Sequence, residues 1–522
     1  MALSTTNTRQ LFRILDFSRR HTSRDFFDFD IDAWETLLAT KGEGFWEEAG
    51  KKNALRLFHA VATRVPAYAR FLKRHRVAHE RIKNFDDLVS YAPPTDKKNY
   101  IAAYPLEERC WDGALGNAHL IAMSSGTTGE PTFWPRSAFQ ELEAGVLHEL
   151  IYKHLFDMDR YETLLLIGFP MGVYVSGVAT LLPSMLFREK GYPCTIMSVS
   201  NQKGEMLRAV THLRKKFRQI VLVGHPFFIK DVLETGRTQG IDWSRRRLKI
   251  MFCSEGFNEA WRRYVIDQAG IAPEDSPIIS TYGSSEMLLM AHETPLSILV
   301  RRMAEDNAMA GRLFKGCITS GLFQYNPFSR YIETVGEELL FTAASGIPLV
   351  RFNLHDTGRI ISFADMKKAL DESRPEWRKE ISSDGAGKKN VWQIPFLALG
   401  NRSDRTVIFY AANIYPEHIR VALQHRSFLN KLTGKFVIRK DYLPNRDEFL
   451  ELHIELREKI RGGDDLIKAI GDRAVKTLRE INTEYADASA RLDKDMRPRI
   501  VLWPYQDEKY FRPGLKPKYI VE

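Results

Sequence analysis

The sequence predicts an α/β protein, with a large N-terminal domain of mostly parallel sheet under covering helices and a small C-terminal α+β domain. Three observations carry that expectation. Between Leu164 and Glu286 short apolar runs alternate with amphipathic helical stretches, the pattern of a parallel sheet covered on both faces. After Arg402 the texture changes to strict alternation and one long amphipathic helix. The length, 522 residues, exceeds one typical domain, and 44% hydrophobic with 27% charged residues marks a folded chain and excludes a disordered one.

The N-terminal residues 1–52 carry two aromatic clusters, Phe12 to Phe17 and Phe26 to Trp34, of a kind that packs onto a larger body. A core domain is placed at 53–402 and a C-terminal domain at 403–522. Apolar residues recur at helical spacing from Asn53 to Leu72, and Val65-Pro66 interrupts them. Leu164 to Phe187 is uncharged for roughly 24 residues, long enough to span a bilayer. Gly168, Pro170, Gly172, Gly177 and Pro183 turn it instead into a buried strand (Leu164 to Ile167), a turn and a packed helix, so no membrane span is expected.

The next units repeat that plan. Ile220 to Val223 reads as a strand, Gly224-His225-Pro226 as a turn, and a helix runs through Leu233. Leu248 to Cys253 is a strand, Asn258 to Gln268 a helix, and Ile278 to Tyr282 a strand ending in Gly283. Glu338 to Thr342 and Leu349 to Phe352 read as strands of a different layer, and Ser382 to Lys389 as a surface loop. In the C-terminal domain, Phe449 to Leu456 alternates as a half-buried antiparallel strand does. Leu466, Ile470, Ala474, Leu478 and Ile481 share one helix face, and Ile500 to Trp503 is a last strand.

Lys and Arg number 76 against 66 Asp and Glu, a net charge of +10 that favours anionic ligands such as nucleotides. The two signs are interleaved almost everywhere, and no basic tail of a nucleic-acid binder is present. Cys110, Cys194, Cys253 and Cys317 lie far apart with no CxxC pair, which argues against a zinc site or a disulfide framework. The N-terminus lacks an apolar stretch of signal-peptide length, so a cytoplasmic setting is expected.

The densest chemical signal is Ser124-Ser125-Gly126-Thr127-Thr128-Gly129-Glu130-Pro131-Thr132, just after the apolar run Leu120 to Met123. Glycines let backbone N–H groups turn toward an anion, and hydroxyls donate to phosphate oxygens; the same composition also makes ordinary turns. GxxxxGK[ST] is absent, so this is not a Walker loop. Four further motifs follow in order: Phe252-Cys253-Ser254-Glu255-Gly256-Phe257, Thr281-Tyr282-Gly283-Ser284-Ser285-Glu286, Pro348 to Arg359 containing Asp356, and Arg402-Ser403-Asp404 with Ala412 to Glu417. Last comes Arg512-Pro513-Gly514-Leu515-Lys516-Pro517-Lys518. No GxSxG elbow or Cys/His nucleophile signature occurs.

From about Asn53 to the end, these motifs resemble those of adenylate-forming enzymes, the superfamily of acyl-CoA synthetases, luciferases and nonribosomal-peptide adenylation domains. Thr132 and the run around it are most similar to phenylacetate-CoA ligases. The resemblance implies an AMP-forming ligase using ATP and Mg²⁺, with coenzyme A or a phosphopantetheine thiol as co-substrate. It would activate a small carboxylic acid, an aryl acid being one class. An acyl-carrier protein or an amine as acceptor stays open, and so does a non-catalytic nucleotide- or nucleic-acid-binding role.

By resemblance, Ser124 to Gly129 with Ser254, Glu255, Gly256, Tyr282, Gly283, Ser285, Asp356 and Arg402 contact ATP or AMP. Tyr282 flanks the adenine, an aromatic face suited to stacking on a base. Asp356 accepts from both ribose hydroxyls, which a bidentate carboxylate can do. Glu286 holds the Mg²⁺, and Thr128 and a lysine serve adenylation; Lys516 is favoured, with Lys518 a competitor. Asp404 is the hinge of a C-terminal lid, although Asn401 and Arg405 depart from the family's usual Gly-Arg-x-Asp-Asp wording. His225, Phe227, Phe252 and Gly283 are candidates for the walls of the acid pocket.

Overall fold

A computed structural model describes residues 11–123, 132–172, 175–245, 247–254, 256–271, 278–305, 310–311, 314, 321–383, 390–402, 407–410, 412–443, 448–491, 495–512 and 519–521. The chain is α/β, with a large sheet clothed in helices and a smaller C-terminal sheet. An antiparallel hairpin, β1 (Leu120–Met123) and β2 (Phe133–Arg136), precedes the main sheet. Its strands are β3 (Thr163–Gly168), β4 (Cys194–Ser198), β5 (Gln219–Gly224), β6 (Arg247–Cys253), β7 (Ile278–Ser284), β8 (Leu288–His292), β9 (Gly321–Gln324), β10 (Tyr331–Val335), β11 (Glu338–Ala343), β12 (Leu349–Ile361) and β13 (Phe396–Arg402).

These eleven strands form one sheet in the order β10-β11-β12-β13-β9-β8-β7-β6-β5-β3-β4. β7, β6, β5, β3 and β4 run parallel, joined by helices such as Val175–Glu189, Pro226–Thr238 and Glu259–Ala269. Their apolar runs are buried along their whole length in β3 and β5, as a doubly covered parallel sheet requires. The uncharged stretch from Leu164 is therefore strand β3, a turn and a helix. Among the described residues no helix is long and apolar enough to cross a membrane.

The sequence reading places Glu338–Thr342 and Leu349–Phe352 in a different layer; the structure corrects this. β11 and β12 join the same sheet through β13, which pairs with both β12 and β9, and β9 meets β8 at the single pair His292–Gln324. The antiparallel half is thus attached by one narrow joint that no local pattern announces.

The N-terminal aromatic clusters pack as expected. Phe26, Phe29, Trp34 and Trp46 form a core with Leu142, Val146, Trp392 and Ile394. The helix Glu43–Arg64 runs unbroken across residues 52 and 53, and Val65 caps it while Pro66 opens the next helix, Pro66–Arg74.

The C-terminal part begins with the short pair β14 (Val407–Phe409) and β15 (Ala412–Ile414). A four-stranded sheet follows, from β16 (Leu432–Tyr442), β17 (Glu448–Leu456), β18 (Arg499–Trp503) and β19 (Ile520–Val521), in the order β18-β17-β16-β19. Helix Asp464–Ile481 covers it through Ile470, Ala474 and Leu478. β17 is antiparallel to β16, as predicted, but it is not half-buried. β18 lies parallel on its other side, and both His453 and Glu455 are buried. Glu455 is satisfied there by the Thr433 hydroxyl (2.6 Å), the Lys435 ammonium (3.1 Å) and the Gln506 N–H (2.7 Å).

The small sheet rests on helix Pro226–Thr238. Arg457 reaches Asp231 at 3.2 Å and also pairs with Glu234; Tyr505 donates to Asp231 at 3.2 Å, and Lys230 donates to the Leu429 carbonyl.

Candidate active site

The parallel strands β3, β5, β6 and β7 end in register, Gly168 beside Gly224, Gly224 beside Phe252, and Cys253 beside Thr281. This carboxyl edge is where open α/β sheets bind ligands. It carries His225, which caps helix Pro226–Thr238, and Ser254, whose φ of 82° is unusual for a residue with a side chain. It also carries Tyr282 to Glu286. Glu255 lies outside the described residues, and Gly256 follows it at half-buried depth.

The Tyr-Gly-Ser-Ser-Glu motif is the end of β7 and the turn into β8. A Cβ on Gly283 would lie 2.6 Å from the Leu288 carbonyl oxygen, so only glycine lets the two strands close this tightly. Glu286 and Ser285 occupy the turn. Two buried side chains brace it from behind. Gln140 donates to the Glu286 carbonyl at 3.3 Å, and Arg330 donates to the Met287 carbonyl at 2.9 Å while pairing with Glu143. Gln140 also accepts from the Gly346 N–H at 3.2 Å, and Gly346 sits so close to Pro135 of β2 that a Cβ would fall 2.0 Å from the Pro135 oxygen. The base of the β1–β2 hairpin is thereby fastened beside Glu286. Ser124 to Pro131, including Thr128, connect these two strands and lie outside the described residues.

Asp356 comes from β12, whose backbone is distorted on both sides of it. Arg351 and His355 have φ of 47° and 61°, and the β12–β13 register shifts between Asp356 and Gly358. Asn353 holds the distortion, accepting from the His355 N–H at 2.7 Å and donating to Glu338 at 2.6 Å. The outcome is a buried carboxylate that accepts a 2.5 Å hydrogen bond from the Tyr282 hydroxyl. The Tyr282 ring itself packs near Phe323 and Phe341, at centroid distances of 6.0 and 6.2 Å. Arg402 is the strand partner of Asp356, and its side chain lies outside the description.

Glu286 is 4% exposed, and its Oε1 takes no well-formed hydrogen bond among the described residues. The ammonium of Lys97 lies 2.9 Å from that oxygen. A buried carboxylate oxygen facing a half-exposed ammonium suits a hard metal that takes its other ligands from phosphates and water. Lys97 lies outside the motifs quoted from the sequence.

Other expectations fare unevenly. Phe252 is fully buried against Phe257 and Trp261, at 5.4 Å from each. Side chains alternate along β6, and the neighbouring Cys253 faces the other side of the sheet. The Phe227 side chain, Asp404, Arg405, Lys516 and Lys518 lie outside the described residues.

In the order of its elements the fold is similar to that of 2-hydroxyisobutyryl-CoA ligase. Among solved structures the chain is similar to 2-hydroxyisobutyryl-CoA ligase in its postadenylation state with 2-HIB-AMP, at TM-score 0.64 and 14% identity over 98% of this chain and 96% of that one. It is also similar to that ligase in an open conformation with 2-HIB-AMP and CoA (TM-score 0.55, 14% identity, 97% and 96%). A third similar structure is the same ligase in the thioesterification state (TM-score 0.53, 14% identity, 97% and 94%). At such identity the likeness is one of fold. No protein-family model and no curated protein matches the sequence.

Proposed function

We propose that the chain is an AMP-forming ligase that activates a small carboxylic acid with ATP and passes the acyl group to a thiol, coenzyme A being the favoured acceptor. The observation that carries this reading is the meeting of Asp356, Tyr282 and Glu286 at the carboxyl edge of the sheet, beside the base of the hydroxyl-rich hairpin. The phenylacetate-CoA ligase-like subtype and an aryl acid belong to the same reading. Phosphopantetheine on a carrier protein, or an amine, is the alternative acceptor.

In the first half-reaction a carboxylate oxygen of the acid attacks the α-phosphorus of ATP. The bond to the β-phosphate oxygen breaks, and pyrophosphate leaves with that electron pair. In the second, a thiolate adds to the acyl carbonyl, and AMP departs as the C–O bond breaks. Neither step needs a side-chain nucleophile; positioning and charge do the work. Asp356, kept in place by the Tyr282 hydroxyl and the distorted β12 backbone, would accept from the ribose hydroxyls. Glu286 would hold Mg²⁺, which when bound neutralises phosphate charge. The amides and hydroxyls of Ser124 to Gly129 would surround phosphate oxygens, Arg402 would reach ribose or phosphate, and Lys516 or Lys518 would stabilise charge at the α-phosphate. Asp404 would be the pivot of the lid.

The test is acid-dependent exchange of labelled pyrophosphate into ATP across a panel of aryl, hydroxy and fatty acids. Trials of coenzyme A, carrier protein and amines with the best acid then follow. Exchange with at least one acid is expected. A protein that binds ATP and exchanges with none overturns the reading.

A further inference from the structure

We infer that Lys97 is a second phosphate-binding lysine of the site. In the nucleotide-free protein it stands in as the counter-charge of Glu286, and it turns onto the β,γ-phosphates when Mg·ATP takes that carboxylate. The inference rests on the proposed function to the extent that ATP is the nucleotide bound.

The position of Lys97 is built. Two residues before it, Thr95 bridges in parallel to Phe352 of β12, donating its N–H to the Arg351 carbonyl (3.1 Å) and accepting from the Asn353 N–H (2.7 Å). The buried Thr95 hydroxyl adds a bond to the Val350 carbonyl at 3.0 Å. Asp96 then caps the tight helical turn Lys97–Ile101, exchanging bonds with Asn99 at 2.6 and 2.8 Å. The strand that supplies the ribose carboxylate Asp356 therefore also fixes the platform of this lysine.

The two halves of the ion pair differ in exposure. The Glu286 side chain is 3% exposed, whereas that of Lys97 is 44% exposed. The carboxylate is buried, and the ammonium keeps its contact with water. A flexible lysine with three donors, one of them used, can change partner without moving the backbone. With a dication held on the carboxylate, the released ammonium would be free to meet the phosphates of ATP. A compact point charge there is what phosphate oxygens attract.

Two measurements test this. In the first, ATP binding is measured by calorimetry with Mg²⁺ present for the parent, Lys97→Met and Lys97→Arg, alongside thermal unfolding of each. Lys97→Met should weaken Mg·ATP binding about tenfold, the order expected for a charged hydrogen bond. Lys97→Arg should recover most of it. In the second, which needs no variant, the parent is labelled with a lysine-acylating reagent and Lys97 is quantified by mass spectrometry. ATP should protect it several-fold, and adenosine should not. ATP affinity of Lys97→Met within twofold of the parent, or Lys97 labelling indifferent to ATP, overturns the inference and leaves a structural ion pair. Because both readouts are of binding, a failure of pyrophosphate exchange alone would remove the ligase reading and leave Lys97 standing. A parent that does not bind ATP would remove both.

Discussion

The β7–β8 hairpin carries two buried glutamates, and their surroundings differ sharply. Glu293, just past the end of β8, is held by Arg262 at 2.7 Å and by Arg301 at 2.5 Å, and it accepts the Ser280 N–H at 2.7 Å. The same two arginines grip Glu259, at 2.9 and 3.1 Å, and both lie over the Phe257 ring. Burial works to raise the Glu259 carboxyl, but Arg262 and Arg301 together hold it below the ordinary value. Among the described residues Glu286, in the turn of the same hairpin, faces one half-exposed lysine. Two arginines shared between two carboxylates fix structure; a carboxylate whose cation reaches water is poised to change partner.

The largest expected effect breaks the first half of that comparison. Arg262→Ala leaves Glu259 and Glu293 buried with half their donors, and it should cost about 3–5 kcal/mol of stability in denaturant unfolding. Lys97→Met removes one cation from one buried carboxylate and should cost less on the same scale, about 1–3 kcal/mol. Equal losses would erase the distinction between a structural and a functional pair.

Next comes Asp356→Asn, which keeps the shape but removes the charge that the ribose hydroxyls would meet. ATP binding should fall about tenfold to a hundredfold, with the unfolding midpoint little changed. A large loss of stability with unchanged affinity would assign the Tyr282–Asp356 bond to the fold alone.

A smaller effect is expected where the C-terminal sheet meets helix Pro226–Thr238. Arg457→Ala strips Asp231 and Glu234 of a shared cation on helix Pro226–Thr238, while Lys203 still reaches Asp231 at 2.9 Å. Burial already pulls the neighbouring Lys230 ammonium down to about 8. Hydrogen exchange should quicken in that helix and in β17, without global unfolding. Unaltered exchange would show the contact to be incidental.

The smallest effect concerns protons. Burial depresses His148 and His292 to about 4, and each donates from Nδ1 to a carbonyl, of Ala144 and Glu293, at 2.8 Å. A histidine whose folded value lies below its unfolded value of about 6.5 takes up its proton more readily when the chain unfolds. Its stabilising share is therefore complete above pH 6.5 and is lost as pH falls from there toward 4. His148→Gln should flatten the fall of the unfolding midpoint across that window, and an unchanged slope would exclude His148 as a contributor.

Much of this molecule was legible in the chain. The parallel strands announce themselves as four-residue apolar runs, and the hydroxyl loop, Tyr282, Glu286 and Asp356 as ordered motifs, because periodicity and motif spacing are properties of neighbours in sequence. What stayed hidden depends on the path of the chain. Lys97 sits in a segment of ordinary basic composition, and only the Thr95–Phe352 bridge swings it onto Glu286. Phe252 is aromatic at a strand end, and its packing against Trp261 is set by tertiary structure. The single His292–Gln324 joint turns two expected layers into one sheet.

The sequence by itself thus determined the fold class and the order of the motifs along the chain. Tertiary structure decided which cation faces which carboxylate, and how much water each retains. Those are the quantities that separate a locked ion pair from one that can exchange partners. They arise from strand register and burial between segments far apart in the chain, where local pattern carries no information.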